Sequence, residues 1–142
     1  MEMPGRTPGP RAGFGSRLVA AFVDVVIVGL ANTVLLQLLG ENLTLAYAVT
    51  TLTGISYYTV LEGGPRGQTL GKRLLGIRVI DFRSGGPIGF ARGAFRYLAR
   101  ILSALPLFLG YFWMLWDNES QTWHDKLVST LVVPVSAFPV EE

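Results

Sequence analysis

Apolar residues in this chain gather into long unbroken runs instead of alternating or recurring at a helical spacing. Leu18 to Leu39 is built of Leu, Val, Ala and Phe throughout, with a single acid, Asp24. Leu43 to Leu61 carries no charge and ends at the breaker Gly63-Gly64-Pro65. An apolar run of about 20 residues spans the hydrocarbon core of a bilayer. Transmembrane helices are therefore expected over about 17–39 and 43–61. Only Gly40-Glu41-Asn42 lies between them, which forces an antiparallel hairpin. A third helical segment is expected over about 88–116; its apolar part, Ile101 to Trp116, is short for a crossing, and Pro106 and Gly110 can break it into a re-entrant or interfacial pair. A signal peptide is the competing reading of the first run, because Arg6 and Arg11 precede it. The run is longer than the roughly 7–15 residues of such a segment, no small-residue cleavage site follows, and Asp24 sits inside it. It reads as a retained helix.

Two short segments carry a different pattern. Gly76-Ile77-Arg78-Val79-Ile80-Asp81, followed by Ser84-Gly85-Gly86, reads as a strand closed by a turn. Ser129-Thr130-Leu131-Val132-Val133-Pro134 is the other β-branched run of suitable length. A lone strand leaves its ladder groups unpaired, so each is the other's expected partner. The chain between them then crosses the membrane twice or not at all, and the second is preferred. The fold class is thus an all-α integral membrane protein: a transmembrane hairpin, a broken or re-entrant third segment, and a small two-stranded pairing on the cytoplasmic side. No internal repeat is visible, which disfavours an inverted-repeat transporter within one chain. Residues 1–15, with Pro4, Pro8 and Pro10, read as a flexible basic tail, 16–134 as the membrane domain and 135–142 as an acidic tail.

Charge adds orientation. Residues 1–17 hold three Arg, and residues 62–100 hold eight Lys or Arg against two acids. The 40–42 loop holds one acid and no base. Both basic segments are expected in the cytoplasm, with the N-terminus there too and the short loop outside. Composition agrees, since the chain is 50% hydrophobic and 15% charged, against roughly 25% charged in soluble domains. With no Cys and one His, neither a disulfide framework nor a zinc site is expected.

Three polar features stand out. Asp24 lies inside an apolar run, where an acid costs about 2.5–3.5 kcal/mol unless something relieves it. Arg17 precedes it by seven residues, two helical turns, so the two share a face but do not easily meet. Both are expected to join a network with another segment, either as an ion or proton site or as packing glue. Arg92, Arg96 and Arg100 recur every fourth residue as one stripe. They suit anionic lipid headgroups, or they reach Asp24 or Asp125. Gln121, His124 and Asp125 form the last polar cluster, where His124 either titrates near neutral pH or fixes the chain end. Without a nucleophile-and-base pair, no enzyme is expected.

Gly67-Gln68-Thr69-Leu70-Gly71-Lys72-Arg73 imitates a phosphate loop, but its glycine spacing is one residue short and Arg73 stands where Ser or Thr would hold magnesium. Nucleotide binding is rejected in favour of a short interfacial helix, with Lys72 and Arg73 outward. Ala46, Thr50 and Gly54 present small residues for helix packing. Tyr57, Tyr58, Trp113, Trp116 and Trp123 suit interfacial anchoring.

In this order the pieces resemble the RDD family of bacterial membrane proteins, named for one Arg and two Asp. Arg17 opens the first membrane helix with Asp24 inside it. Residues 67–81 resemble the family's central segment, Arg92 and Arg96 its following arginines, and residues 121–133 its closing motif, with Asp125 as the second Asp. The resemblance implies a multi-pass protein of the bacterial inner membrane and transport of small ligands, cation–proton exchange included. Arg17, Asp24 and Asp125 are then the ligand, ion or proton network, with Arg92, Arg96, Arg100, Gln121 and His124 supporting it. Two or three crossings enclose no pathway alone, so a homo-oligomer or another membrane protein is the expected partner, beside the bilayer and its anionic lipids. The alternative is a lipid-binding or scaffolding module whose Arg/Asp network only holds the fold. No cofactor, metal, nucleotide or nucleic acid is expected.

Overall fold

The computed structural model describes residues 8–104 and 109–140. Its first helix, α1 (Phe14–Leu39), is the one described helix long and apolar enough to cross a membrane, with a mean hydropathy of 2.3 over its most apolar window. A core helix of a soluble protein would be largely buried. Here Ala20 and Asp24 are the buried residues, while Phe22, Val25, Leu30 and Leu38 stand exposed around the helix. An exposed helix that is apolar all round matches lipid as its surroundings. Helix α2 (Leu43–Gly63) returns antiparallel after the short loop, its first turn capped by Asn42 Oδ1, which accepts from Leu45 N at 3.1 Å. Its Thr and Ser residues lower its hydropathy, but Thr50 and Thr53 turn their hydroxyls back to the carbonyls of Ala46 and Val49.

Next come a short helix, α3 (Leu70–Leu75), and a strand, β1 (Ile77–Asp81). The described part of the expected third segment comprises α4 (Phe90–Ala104), α5 (Leu109–Phe112) and a single 3-10 turn over Trp113–Leu115. Pro106, an expected break point, lies outside the described residues; Gly110 lies within α5. Helix α6 (Trp123–Val128) and strand β2 (Thr130–Pro134) close the chain.

Strands β1 and β2 pair antiparallel as the sequence predicts, with Val79 opposite Val132. Both faces are covered: Ile77, Val79 and Val132 pack with Ala12, Ala20 and Ile88, while Ile80, Leu131 and Val133 pack with Phe82 and Phe138. Both edges are also closed. Val79 N donates to Gly67 O and Gln68 Nε2 to Ile77 O on one side; Ala12 N donates to Val132 O and Gln121 Nε2 to Thr130 O on the other. Parts of both expected tails, residues 11–12 and 138–139, are thereby fastened to the fold. Arg11 donates to Glu119 Oε2 at 2.6 and 3.1 Å, and Arg78 holds the carbonyls of Phe138 and Pro139. Residues 1–7 and 141–142 of those expected tails lie outside the described residues.

The structure corrects the expectation that no repeat exists. Residues 67–80 and 120–133 are the same unit twice. Each opens at a left-handed residue, Gly67 (φ 62°) or Ser120 (φ 52°). A threonine, Thr69 or Thr122, then caps a six-residue helix. A second left-handed residue, Gly76 or Ser129, ends the helix and releases a strand. Gln68 and Gln121 make the same bond, each to the carbonyl nine residues on. Val79 pairs with Val132, its own counterpart, so a local two-fold axis runs between them. Few side chains are shared between the copies, which hides the repeat from the sequence.

Candidate functional site: a buried charge network beside an apolar cavity

Asp125 sits in the first turn of α6, where its carboxylate and Thr122 form a reciprocal cap. Oδ2 accepts from Thr122 N at 3.0 Å and from Arg17 Nη1 at 2.8 Å, while Oδ1 accepts from Arg96 Nη2. Arg96 is fully buried, and its Nη1 reaches Glu62 Oε2 at 3.1 Å. Glu62 Oε1 in turn accepts from Lys72 Nζ at 2.8 Å and Arg100 Nη2 at 2.9 Å. One unbroken line of alternating charge thus joins α3, α2, α4, α6 and α1. Helix α4 can approach α2 because Gly93 has no side chain: a Cβ there would lie 2.9 Å from Thr59 O.

Asp24 belongs to a separate cluster. Its oxygens accept from Tyr57 Oη at 2.7 Å, Thr69 Oγ1 at 2.7 Å and Gly71 N at 2.8 Å, so it seats the start of α3 on α1 and α2. Gly71 is needed for that seat, since a Cβ there would lie 2.2 Å from Ala20 O. Arg17 donates to Ser120 O and Asp125, and to Asp24 not at all.

Several sequence expectations change here. The arginine stripe makes ion pairs within the protein: Arg96 and Arg100 hold Glu62, and Arg92 holds Asp81 Oδ1 at 2.5 Å and the carbonyls of Val128 and Ser129. Of the two acids the stripe was expected to reach, it reaches Asp125 and not Asp24. Lys72 points inward to Glu62 and not outward, because α3 packs on α1 with Gly71 against Ala20. Tyr57 donates its hydroxyl to Asp24. Gln121 closes the sheet edge, and His124 meets Thr122 Oγ1 at 3.0 Å and the Tyr111 ring at 5.1 Å. Glu62, Lys72, Tyr57 and Thr69 were missed. Glu62 had a signal: it is the sole acid from Leu43 to Ile80, at the end of an apolar run.

Beside the network lies a cavity of about 330 Å³. Arg17, Lys72, Arg100 and Asp24 form its polar side, and Phe14, Leu18, Val25 and Phe112 its apolar side. The rings of Phe14 and Phe112 stack across it at 5.8 Å. Among the described residues, no three His, Cys, Asp or Glu side chains gather as a metal would need.

The RDD family's sequence pattern matches residues 11–129, which contain every member of this network. The chain belongs to the RDD family. Two relatives are similar along most of it. The proline-rich antigen homolog of Mycobacterium tuberculosis is 27% identical over 148 residues, which cover 84% of this chain. YxaI of Bacillus subtilis, an uncharacterized protein, is 29% identical over 147 residues, 86% of this chain and 96% of its own length. The proline-rich antigen of Mycobacterium leprae is 35% identical over 72 residues, 51% of this chain and 29% of its own. The matched region is 62% of the length of the M. tuberculosis relative. No solved structure matches this chain. As an RDD-family protein of membrane type, it carries Arg/Asp pairs as real ion pairs: Arg17–Asp125 and Arg96–Asp125.

The pairing sets a pH dependence. Burial alone would raise the Asp125 carboxyl, but Arg17 and then Arg96 outweigh it and hold it well below its ordinary 3.8. Asp117 is also held down, burial being outweighed by the Lys126 bond and backbone N–H groups. An acid whose folded value is depressed gives stability that is present above its unfolded value and lost as pH falls toward the folded one. Unfolding temperature in neutral detergent is therefore expected to hold at neutral pH and drop steeply below about pH 4. Asp125→Asn should flatten that acid drop. An identical slope in the variant would contradict the pairing.

Proposed function

We propose that this RDD-family protein is a multi-pass protein of the bacterial cytoplasmic membrane and a component of ion or small-ligand transport. In this reading α1 and α2 cross the bilayer, the N-terminus is cytoplasmic, and α4 and α5 dip into the membrane without crossing. The observation that carries the reading is the cavity, where charged side chains from α1, α3 and α4 converge beside apolar walls. Ionisable groups inside a membrane mark functional sites by default. The exposed apolar surface of α1 leaves room for a second copy or another membrane protein, which a closed pathway requires.

The scaffolding alternative is favoured by one observation: the carboxylates of Asp24, Glu62 and Asp125 are each already satisfied. Asp24→Asn separates the two. Proteoliposomes carrying the wild type should pass protons under an imposed sodium or potassium gradient, read by an internal pH dye. The variant should assemble and lose at least about tenfold of that flux. Wild-type flux no higher than empty liposomes, with the variant only less heat-stable, would establish the scaffold instead.

A further inference from the structure

We propose that the cavity beside α1 binds an oxyanion carried on an apolar chain, such as a fatty acid or an anionic lipid, admitted sideways from the bilayer. The inference deepens the transport reading and rests on α1 lying in lipid.

Charge counting gives the first reason. Around the cavity Arg17, Lys72, Arg96 and Arg100 are four buried or half-buried cations, and against them stand three carboxylates, Glu62 and Asp125 in the network and Asp24 in its own cluster. His124 adds none, since burial and then Arg96 hold its imidazole well below the ordinary histidine value. One positive charge is left over in an apolar setting, where an unpaired charge is costly and an anion relieves it.

Unspent donors give the second. Arg17 donates through Nη1 alone, Arg100 through Nη2 alone, and Lys72 spends one of its three ammonium donors. Arg100 Nε is buried with no hydrogen-bond partner among the described residues. The one carboxylate on the cavity wall, Asp24, already accepts three bonds. The wall therefore has more unspent donors than acceptors to offer an amphiphilic ligand. Arginine suits oxyanions in particular, because its planar fork matches carboxylate and phosphate oxygens.

The apolar wall gives the third. Leu18 and Val25 line the cavity and are also 57% and 65% exposed on the outer surface of α1. The cavity thus opens along a lipid-facing helix, and its volume of about 330 Å³ suits a headgroup and the first part of a chain. A free phosphate ion would leave that wall unused.

The test is equilibrium binding by native mass spectrometry to the full chain in maltoside detergent, with dodecyl phosphate, inorganic phosphate and dodecyltrimethylammonium as probes. Dodecyl phosphate should bind one per chain, at least about tenfold tighter than either of the others. Arg100→Gln, which leaves Glu62 with Lys72 and Arg96, and Val25→Trp, which blocks the mouth without touching the network, should each weaken it about tenfold. Lipid analysis of the purified protein then separates a retained phospholipid from a retained fatty acid. Equal binding of inorganic phosphate or of the cationic amphiphile overturns the proposal. So does unchanged affinity in both variants. Binding needs no flux, so a failed transport assay with these affinities intact removes the transport reading alone.

Discussion

Arg96→Leu is expected to destabilise the protein by about 3–5 kcal/mol, the largest effect of any single substitution here. Among the described residues Arg96 is the one cation shared by two buried acids, giving Nη1 to Glu62 and Nη2 to Asp125 while Nε meets Thr130 Oγ1 at 3.2 Å. Leucine fills much of the space but strands both carboxylates. Glu62 keeps Lys72 and Arg100, so its loss is partial. Asp125 keeps only Arg17 as a cationic partner, and its link to α4 is gone. Domains hold about 5–15 kcal/mol in total, so most of the variant should be recovered aggregated or proteolysed. Arg96→Lys should recover part of the loss, since an ammonium restores charge but not two diverging bonds. Unfolding temperature and monodisperse yield in detergent check both. A leucine variant as stable as the wild type would show that the network adds nothing to the fold.

The sequence made the long elements plain and the network only in part. The apolar runs and the 40–42 loop suffice for the α1–α2 hairpin, and two β-branched runs with a turn suffice for the strand pair. Helix α1 begins at Phe14, ahead of the expected start, because Ala12 is pinned to Val132 O from far along the chain. No local pattern reports such a bond. The stripe Arg92, Arg96 and Arg100 was visible as a stripe, but periodicity does not say whether a charged face meets water, lipid or acids. Glu62 decides that question. It lies at the end of α2, where an acid looks like an ordinary boundary residue until α3 and α4 fold over it. The repeat was hidden for a related reason. Its two copies keep a backbone path and a Gln-Thr opening while Gly71 and His124, Lys72 and Asp125 have diverged at matching positions. Lys72 and Asp125 each became a buried charge, of opposite sign, at one end of the same network.

Within this arrangement Arg17, Asp24 and Asp125 do two jobs. Arg17 and Asp125 tie the first helix to the last, while Asp24 seats α3 through neutral donors. Double-mutant cycles in detergent test that division most directly, using Arg17→Met with Asp125→Asn, and Arg17→Met with Asp24→Asn. The account predicts a coupling of about 1–3 kcal/mol for Arg17 with Asp125, and additivity within about 0.5 kcal/mol for Arg17 with Asp24. A coupling of Arg17 with Asp24 as large as that with Asp125 would contradict it and restore a single Arg/Asp site.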